Sequence, residues 1–275
     1  MALKRELAAA VAIPIVLAIL FFCPSAAFDV LVGAIALAAL WEFYRIAEKT
    51  GFPVAKTVGA AVSILVMAGW SVLWGYPFRG TAPGGPLAVA LFLALLLLSC
   101  VAPLFSGVAL HAALGGASAT AFGVLAIALP ATALCALREI SPRAVLFLFL
   151  IVWGCDSFAY YSGRAFGKHR LAPRVSPNKT WEGTVGGLVG ATLVGAAGGA
   201  WWLLPEIGPL GGAAAGALAS SAGQLGDLVE SLWKRGAGVK DSGTFLPGHG
   251  GFYDRIDSLL FAGPVLAAFL AAWLP

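Results

Sequence analysis

The sequence predicts an all-α, polytopic integral membrane protein with about nine transmembrane helices and a cytoplasmic N-terminus. Three observations predict it. Hydrophobic residues make up 60% of the chain and charged residues 11%, with a mean hydropathy of +0.91. A soluble domain carries about 25% charged residues, so this chain cannot cover a water-facing surface. The apolar residues fall into runs near the roughly 20 residues that a helix needs to cross the hydrocarbon. Lys and Arg collect in alternate connecting segments, as they do when cytoplasmic loops retain positive charge.

The runs are justified in order. Lys4 and Arg5 precede the first, about Leu7 to Cys23. A signal peptide cleaved near Ser25-Ala26-Ala27 has similar features, but further spans follow at once, so an uncleaved first span is preferred. Bulky Phe22 before Cys23 excludes a lipoprotein site. Further runs cover about Ala26 to Ala47, Thr57 to Trp74, Leu87 to Phe105, and Ala112 to Leu137, the last broken by Pro130. The sixth, about Ala144 to Tyr161, contains Asp156. The seventh and eighth, about Gly183 to Leu204 and Leu210 to Trp233, are crowded with Gly and Ala, which let membrane helices approach closely. The ninth runs from about Ser258 to Leu274. With the N-terminus inside, the cytoplasmic segments hold Lys4, Arg5, Arg45, Lys49 and Lys56, then Arg164 to Lys179, then Lys234 to Arg255. Only Arg79, Arg138 and Arg143 fall outside. Cys23, Cys100, Cys135 and Cys155 lie in or beside apolar runs without metal-ligand spacing, so a disulfide framework is not expected.

Two polar clusters stand out. Asp227 and Glu230, i and i+3 on the eighth helix, share a face with Lys234 and extend a polar stripe of Ser220, Ser221 and Gln224. After them come Arg235, Lys240, Asp241, the turn Gly248-His249-Gly250-Gly251, and Asp254, Arg255 and Asp257. Carboxylates suit divalent metal ions, while cations and glycine-exposed amides suit phosphates. Acids at a membrane boundary are functional candidates by default. The second cluster runs from Asp156 through Arg164 to Lys168, then through Ser176-Pro-Asn178-Lys179-Thr180-Trp-Glu182. Topology alone accounts for the cations of this loop, but not for Asp156, Asn178 and Glu182 among them. Residues 1–140 are expected as a scaffold, and 141–275 as the bundle carrying chemistry, with cytoplasmic loops 162–182 and 231–257.

At these residues the chain resembles the phosphatidate cytidylyltransferase, or CDP-diacylglycerol synthase, family. Its signature has the form S-x-hydrophobic-K-R-x4-K-D-x-small-x2-hydrophobic-P-x-H-G-G-hydrophobic-x-D-R-hydrophobic-D. Ser231, Lys234, Arg235, Lys240, Asp241, Gly243, Leu246, Pro247, His249, Gly250, Gly251, Phe252, Asp254, Arg255, Ile256 and Asp257 satisfy it. Tyr253 stands where an aliphatic residue is expected. The likeness is convincing from about Val152 onward and, before that, extends only to the presence of membrane spans. It implies the reaction of CTP with phosphatidic acid to give CDP-diacylglycerol and pyrophosphate. It also implies Mg2+, as one or two ions, with Asp227 and Asp254 as metal ligands.

Under that reading Lys234, Arg235, Lys240, Asp241, His249, Arg255 and Asp257 join Asp227 and Asp254 as catalytic candidates. Asp156, Arg164, Lys168, Ser176, Asn178, Lys179, Thr180, Glu182 and Glu230 are candidates for substrate binding. The expected partners are CTP, phosphatidic acid and membrane lipid. Nucleic acid is not expected, and a homodimer is the assembly considered. The expected location is a bacterial plasma membrane with the site facing the cytoplasm. A polyprenol kinase would need a base for its hydroxyl substrate, and the full signature argues against it. A transporter would place acids near the bilayer midplane within inverted repeats. A scaffold would not need the carboxylates.

Overall fold

The structure, a computed structural model, describes residues 2–70, 85–201, 203–243 and 250–274; Arg79, Leu246, Pro247 and His249 lie outside them. The described residues form helices α1 (Ala2–Phe22), α2 (Ser25–Lys49), α3 (Lys56–Ala68), α4 (Gly85–Val101), α5 (Leu110–Ile140) and α6 (Pro142–Phe166). A short hairpin of β1 (Arg170–Ala172) and β2 (Ser176–Thr180) follows, then α7 (Trp181–Trp201), α8 (Gly208–Gly236) and α9 (Tyr253–Trp273). The all-α membrane class expected from composition is therefore observed. Among the described residues α2, α5, α6, α7 and α9 are long and apolar enough to cross a membrane. The stretch Ala10–Phe22, α3, and Phe92–Phe105 are apolar but shorter, and α8 is not among the five.

The break expected at Pro130 is instead a continuous helix with a π-helical turn at Val124–Ala128. Proline has no N–H, so the helix cannot form its ordinary bond there. The turn relieves the mismatch by shifting the bonding, with Leu129 N donating to Val124 O. Helix α6 starts where Ser141 accepts the Arg143 N–H at 3.1 Å and Pro142 occupies the first turn.

The chain divides into two compact units. The first comprises Met1–Ala136 with Gly236–Ile256, and the second Leu137–Arg235 with Asp257–Pro275. Val62, Val66, Leu95, Ala121, Val124 and Ala128 form an apolar cluster in the first unit. Beside them Tyr44, 1% exposed, donates to Thr120 O at 2.8 Å. Gly59 and Gly123 leave room for its ring, since a Cβ at either would strike Tyr44.

In the second unit α7 packs its glycine face on α6. A Cβ at Gly187 would lie 2.9 Å from Cys155 O, and one at Gly190 would enter the Phe158 ring. The opposite contact, with α8, is reciprocal. A Cβ at Gly195 would strike Gly212 O, and one at Gly212 would strike Gly195 O. The glycine crowding in the sequence thus corresponds to backbones in direct contact across α6, α7 and α8. On the outside, Phe158, Val185, Val189, Leu193 and Leu218 are exposed, as lipid-facing residues are.

Candidate active site

The second unit contains a cavity of about 520 Å³. Helix α6 runs past the expected end of its span, and Asp156, Tyr160 and Arg164 line the cavity from its last three turns. The hairpin contributes Asn178, Lys179 and Thr180 from β2. Gln224 and Asp227 come from α8 and Ser258 from α9. Thr180 also caps α7, accepting the Gly183 N–H at 3.1 Å, so the end of the hairpin and the start of the glycine-rich helix are fixed together.

Asp227 is the most connected of these groups. Lys179 Nζ donates to its Oδ2 at 2.5 Å, and Ser231 Oγ, one turn along α8, donates to Oδ1 at 3.4 Å. Asp227, Glu230 and Asp257 each offer a carboxylate oxygen, and these oxygens lie within 4.8 Å of one another. Glu230 is 1% exposed and pairs with Lys234 at 2.5 Å. Three carboxylate oxygens this close to one another could hold a hard divalent cation. Lys179 and Lys234 offset part of the mutual repulsion among these acids.

Not every expected binder points into the cavity. Glu182 accepts the backbone N–H groups of Lys168 at 3.2 Å and His169 at 3.3 Å, and pairs with His169 Nδ1 at 2.6 Å. It thereby ties the end of α6 to the start of α7. Arg235 Nε donates to Val175 O at 3.3 Å, holding the hairpin turn. Ser176 begins β2, pairing in register with Ala172, and Lys168 is exposed.

The signature residues Lys240, Asp241, Asp254 and Arg255 belong to the first unit, whereas Asp227 belongs to the second. Lys240, Asp241 and Arg255 are exposed. Asp254 Oδ2 accepts from Ser242 N at 2.9 Å and Gly251 N at 2.8 Å. Gly250 has a φ of 78°, a conformation that side chains with a Cβ rarely adopt. The acid metal pair implied by the resemblance is thus divided between the units. His249 lies outside the described residues.

Three groups here escaped the sequence reading: Ser258, Thr184 and, in the first unit, Glu42. Ser258 and Thr184 carry no sequence signal beyond polarity beside a motif. Glu42 carries one, since an acid inside an apolar span is costly without a function.

Comparison with known proteins extends the resemblance over the first half. The profile of the cytidylyltransferase family matches residues 3–273. A phosphatidate cytidylyltransferase of Pseudomonas aeruginosa is 36% identical over 276 residues, covering 98% of each chain. That of Haemophilus influenzae is 44% identical over 138 residues, which span 46% of this chain and 44% of the relative. That of Staphylococcus saprophyticus is 49% identical over 133 residues, 46% and 48% of the two chains.

Proposed function

The chain belongs to the cytidylyltransferase family, and from that premise we propose that it is a phosphatidate cytidylyltransferase, converting CTP and phosphatidic acid into CDP-diacylglycerol and pyrophosphate. The observation that carries the reading is the cavity of the second unit, where Arg164 and Lys179 share the lining with Asp156 and Asp227. Two polyanionic substrates require cations, and a nucleoside triphosphate is handled as its metal complex, which requires carboxylates.

The reaction needs little proton chemistry. The second pKa of a phosphomonoester is about 6, so the attacking phosphatidate oxygen is largely ionised at neutral pH. That oxygen attacks the α-phosphorus of CTP, the α–β bridging bond breaks, and pyrophosphate departs. The protein's task is to bring two anions together and to stabilise the leaving group. Lys179 and Arg164 supply positive charge at the cavity. Gln224, whose Nε2 donates to Thr184 O at 3.4 Å, and Asn178 supply neutral polar groups for orientation. Asp227, Glu230 and Asp257 would hold magnesium, which when bound offsets phosphate charge and stabilises pyrophosphate. Lys179, which pairs with Asp227 and lines the cavity, would be placed to bind a substrate phosphate beside the acid cluster. Asp254 is proposed as a further member of the signature site.

The membrane is proposed to be a bacterial plasma membrane, with the site open to the cytoplasm, where CTP and magnesium are present. The diacyl chains stay in the bilayer. Purified protein in detergent, given CTP labelled in its α-phosphate, phosphatidic acid and magnesium, is expected to form labelled CDP-diacylglycerol. Transfer of label from the γ-phosphate alone would make it a kinase. Absence of lipid-dependent turnover by folded protein would remove both enzymatic readings.

A further inference from the structure

We propose that Glu42, on helix α2, is a positioning residue that holds Ser242 and Gly251–Asp254, at the two ends of the signature loop, in their working arrangement. It lies about 200 residues upstream of that loop in sequence. It is 6% exposed and belongs to a helix that otherwise reads as scaffold. Its Oε1 accepts the Phe252 N–H at 3.1 Å, and its Oε2 accepts the Tyr253 N–H at 2.9 Å. The Ser242 hydroxyl lies between two carboxylates, 2.7 Å from Glu42 Oε2 and 2.9 Å from Asp254 Oδ2. One buried side chain therefore engages both ends of the loop, Ser242 on one side and Phe252–Tyr253 on the other. Through Ser242 it also reaches a signature acid.

A second observation supports the assignment. A Cβ at Gly243 or at Gly251 would strike the Glu42 carboxylate. Both glycines are signature positions, and here each leaves space for the same side chain. The neighbouring residue adds an apolar contact, since Phe43 meets the Tyr253 ring edge-on at 6.3 Å between centroids. Tyr253, the one departure from the signature, thus packs beside the clamp. A buried carboxylate requires hydrogen bonds, and the loop amides provide them. In return, the loop's amides and hydroxyl are held in one arrangement, which fixes the start of α9 and the residues Asp254 and Arg255 at its first turn.

The inference rests on the proposed transferase reading for its kinetic arm only. Glu42→Gln keeps size and one acceptor, but sets its amide N–H group against the N–H of Phe252 or of Tyr253, whichever oxygen it replaces. It is expected to lower kcat by about 10- to 100-fold. Hydrogen exchange at Gly251, Phe252 and Tyr253 is expected to rise by a similar factor, while exchange in α6 and α7 stays parental. Ser242→Ala should add little on top of Glu42→Gln, because both act through one network. Gly251→Ala, which crowds the carboxylate, should reproduce the kinetic loss. Exchange is read without turnover, so an inactive parent with the expected exchange pattern would remove the transferase reading and leave the clamp intact. Parental exchange in the loop of Glu42→Gln, or fully additive effects of Glu42→Gln and Ser242→Ala, would overturn the positioning role.

Discussion

At the scale of single residues, Asp227 makes the sharpest claim. It shares an acid cluster with Glu230 and Asp257 and receives Lys179 Nζ at 2.5 Å. Asp227→Asn keeps the shape and removes the charge. It is expected to lower turnover at least about 100-fold and to abolish the magnesium-dependent rise in melting temperature, which follows from mass action on the folded state. The magnesium-free melting temperature should stay close to the parent's, because the repulsion relieved within the acid cluster offsets the weakened Lys179 pairing. Parental turnover in this variant would remove Asp227 from the site. Asp254→Asn, measured beside it, tests the other acid implied by the resemblance. Asp227 was legible because it extends a polar stripe two turns before a basic pair. Glu42 carried the signal of an acid between apolar neighbours, Trp41 and Phe43, but its role was not legible because its partners lie far along the chain. A spacing argument sees only local neighbours. Glu182 was legible as an unusual acid in a basic loop, but its ties to the Lys168 and His169 amides depend on how α6 and α7 converge.

At the scale of elements, the small-residue spans predicted close packing, and the contact of α7 with α8 accounts for it. Gly195 and Gly212 each abut the other's carbonyl, so neither position accommodates even a methyl group without backbone movement. Gly212→Ala gains intrinsic helix propensity of up to about 1 kcal/mol. It nevertheless should destabilise the protein, because overpacking that displaces backbone costs about 1 to 3 kcal/mol. Thermal unfolding in detergent should show a lower melting temperature than the parent. An unchanged or higher value would mean that α7 and α8 separate freely, and that helix propensity decides. Two other element-scale features were illegible for definite reasons. The β1–β2 hairpin has neither apolar alternation nor β-branched runs, since Ser176-Pro-Asn-Lys-Thr180 is polar throughout. Pro130 carried a true signal of disturbance, but sequence cannot distinguish a broken helix from one that passes the proline through a π-turn.

At the scale of the whole molecule, membrane residence follows from composition, and the segments proposed to carry chemistry stand out as polar clusters in an apolar chain. Sequence could not show which helices the signature loop belongs with. The compact unit formed by Met1–Ala136 includes Gly236–Ile256, and the Glu42 hydrogen bonds give the physical reason. Orientation is the remaining whole-molecule property, and charge predicts it. If the N-terminus is inside, Lys240 and Arg255 are cytoplasmic with the Arg164-to-Lys179 segment, while Arg79, Arg138 and Arg143 are left outside. Each Lys or Arg that must be moved across the bilayer opposes the inverted arrangement, so an imbalance this large should give one topology. With the nine spans that the sequence predicts, the same arrangement would put the end of α9 outside. A phosphatase that is active only outside the cytoplasm, fused after Pro275, should be active. Green fluorescent protein, which fluoresces only when folded in the cytoplasm, should stay dark there and should glow when inserted between Gly236 and Gly238. The reverse pattern would place Lys234, Arg235 and the acids of α8 away from cytosolic CTP. The transferase reading would then lose its substrate even if every residue of the site were correctly assigned.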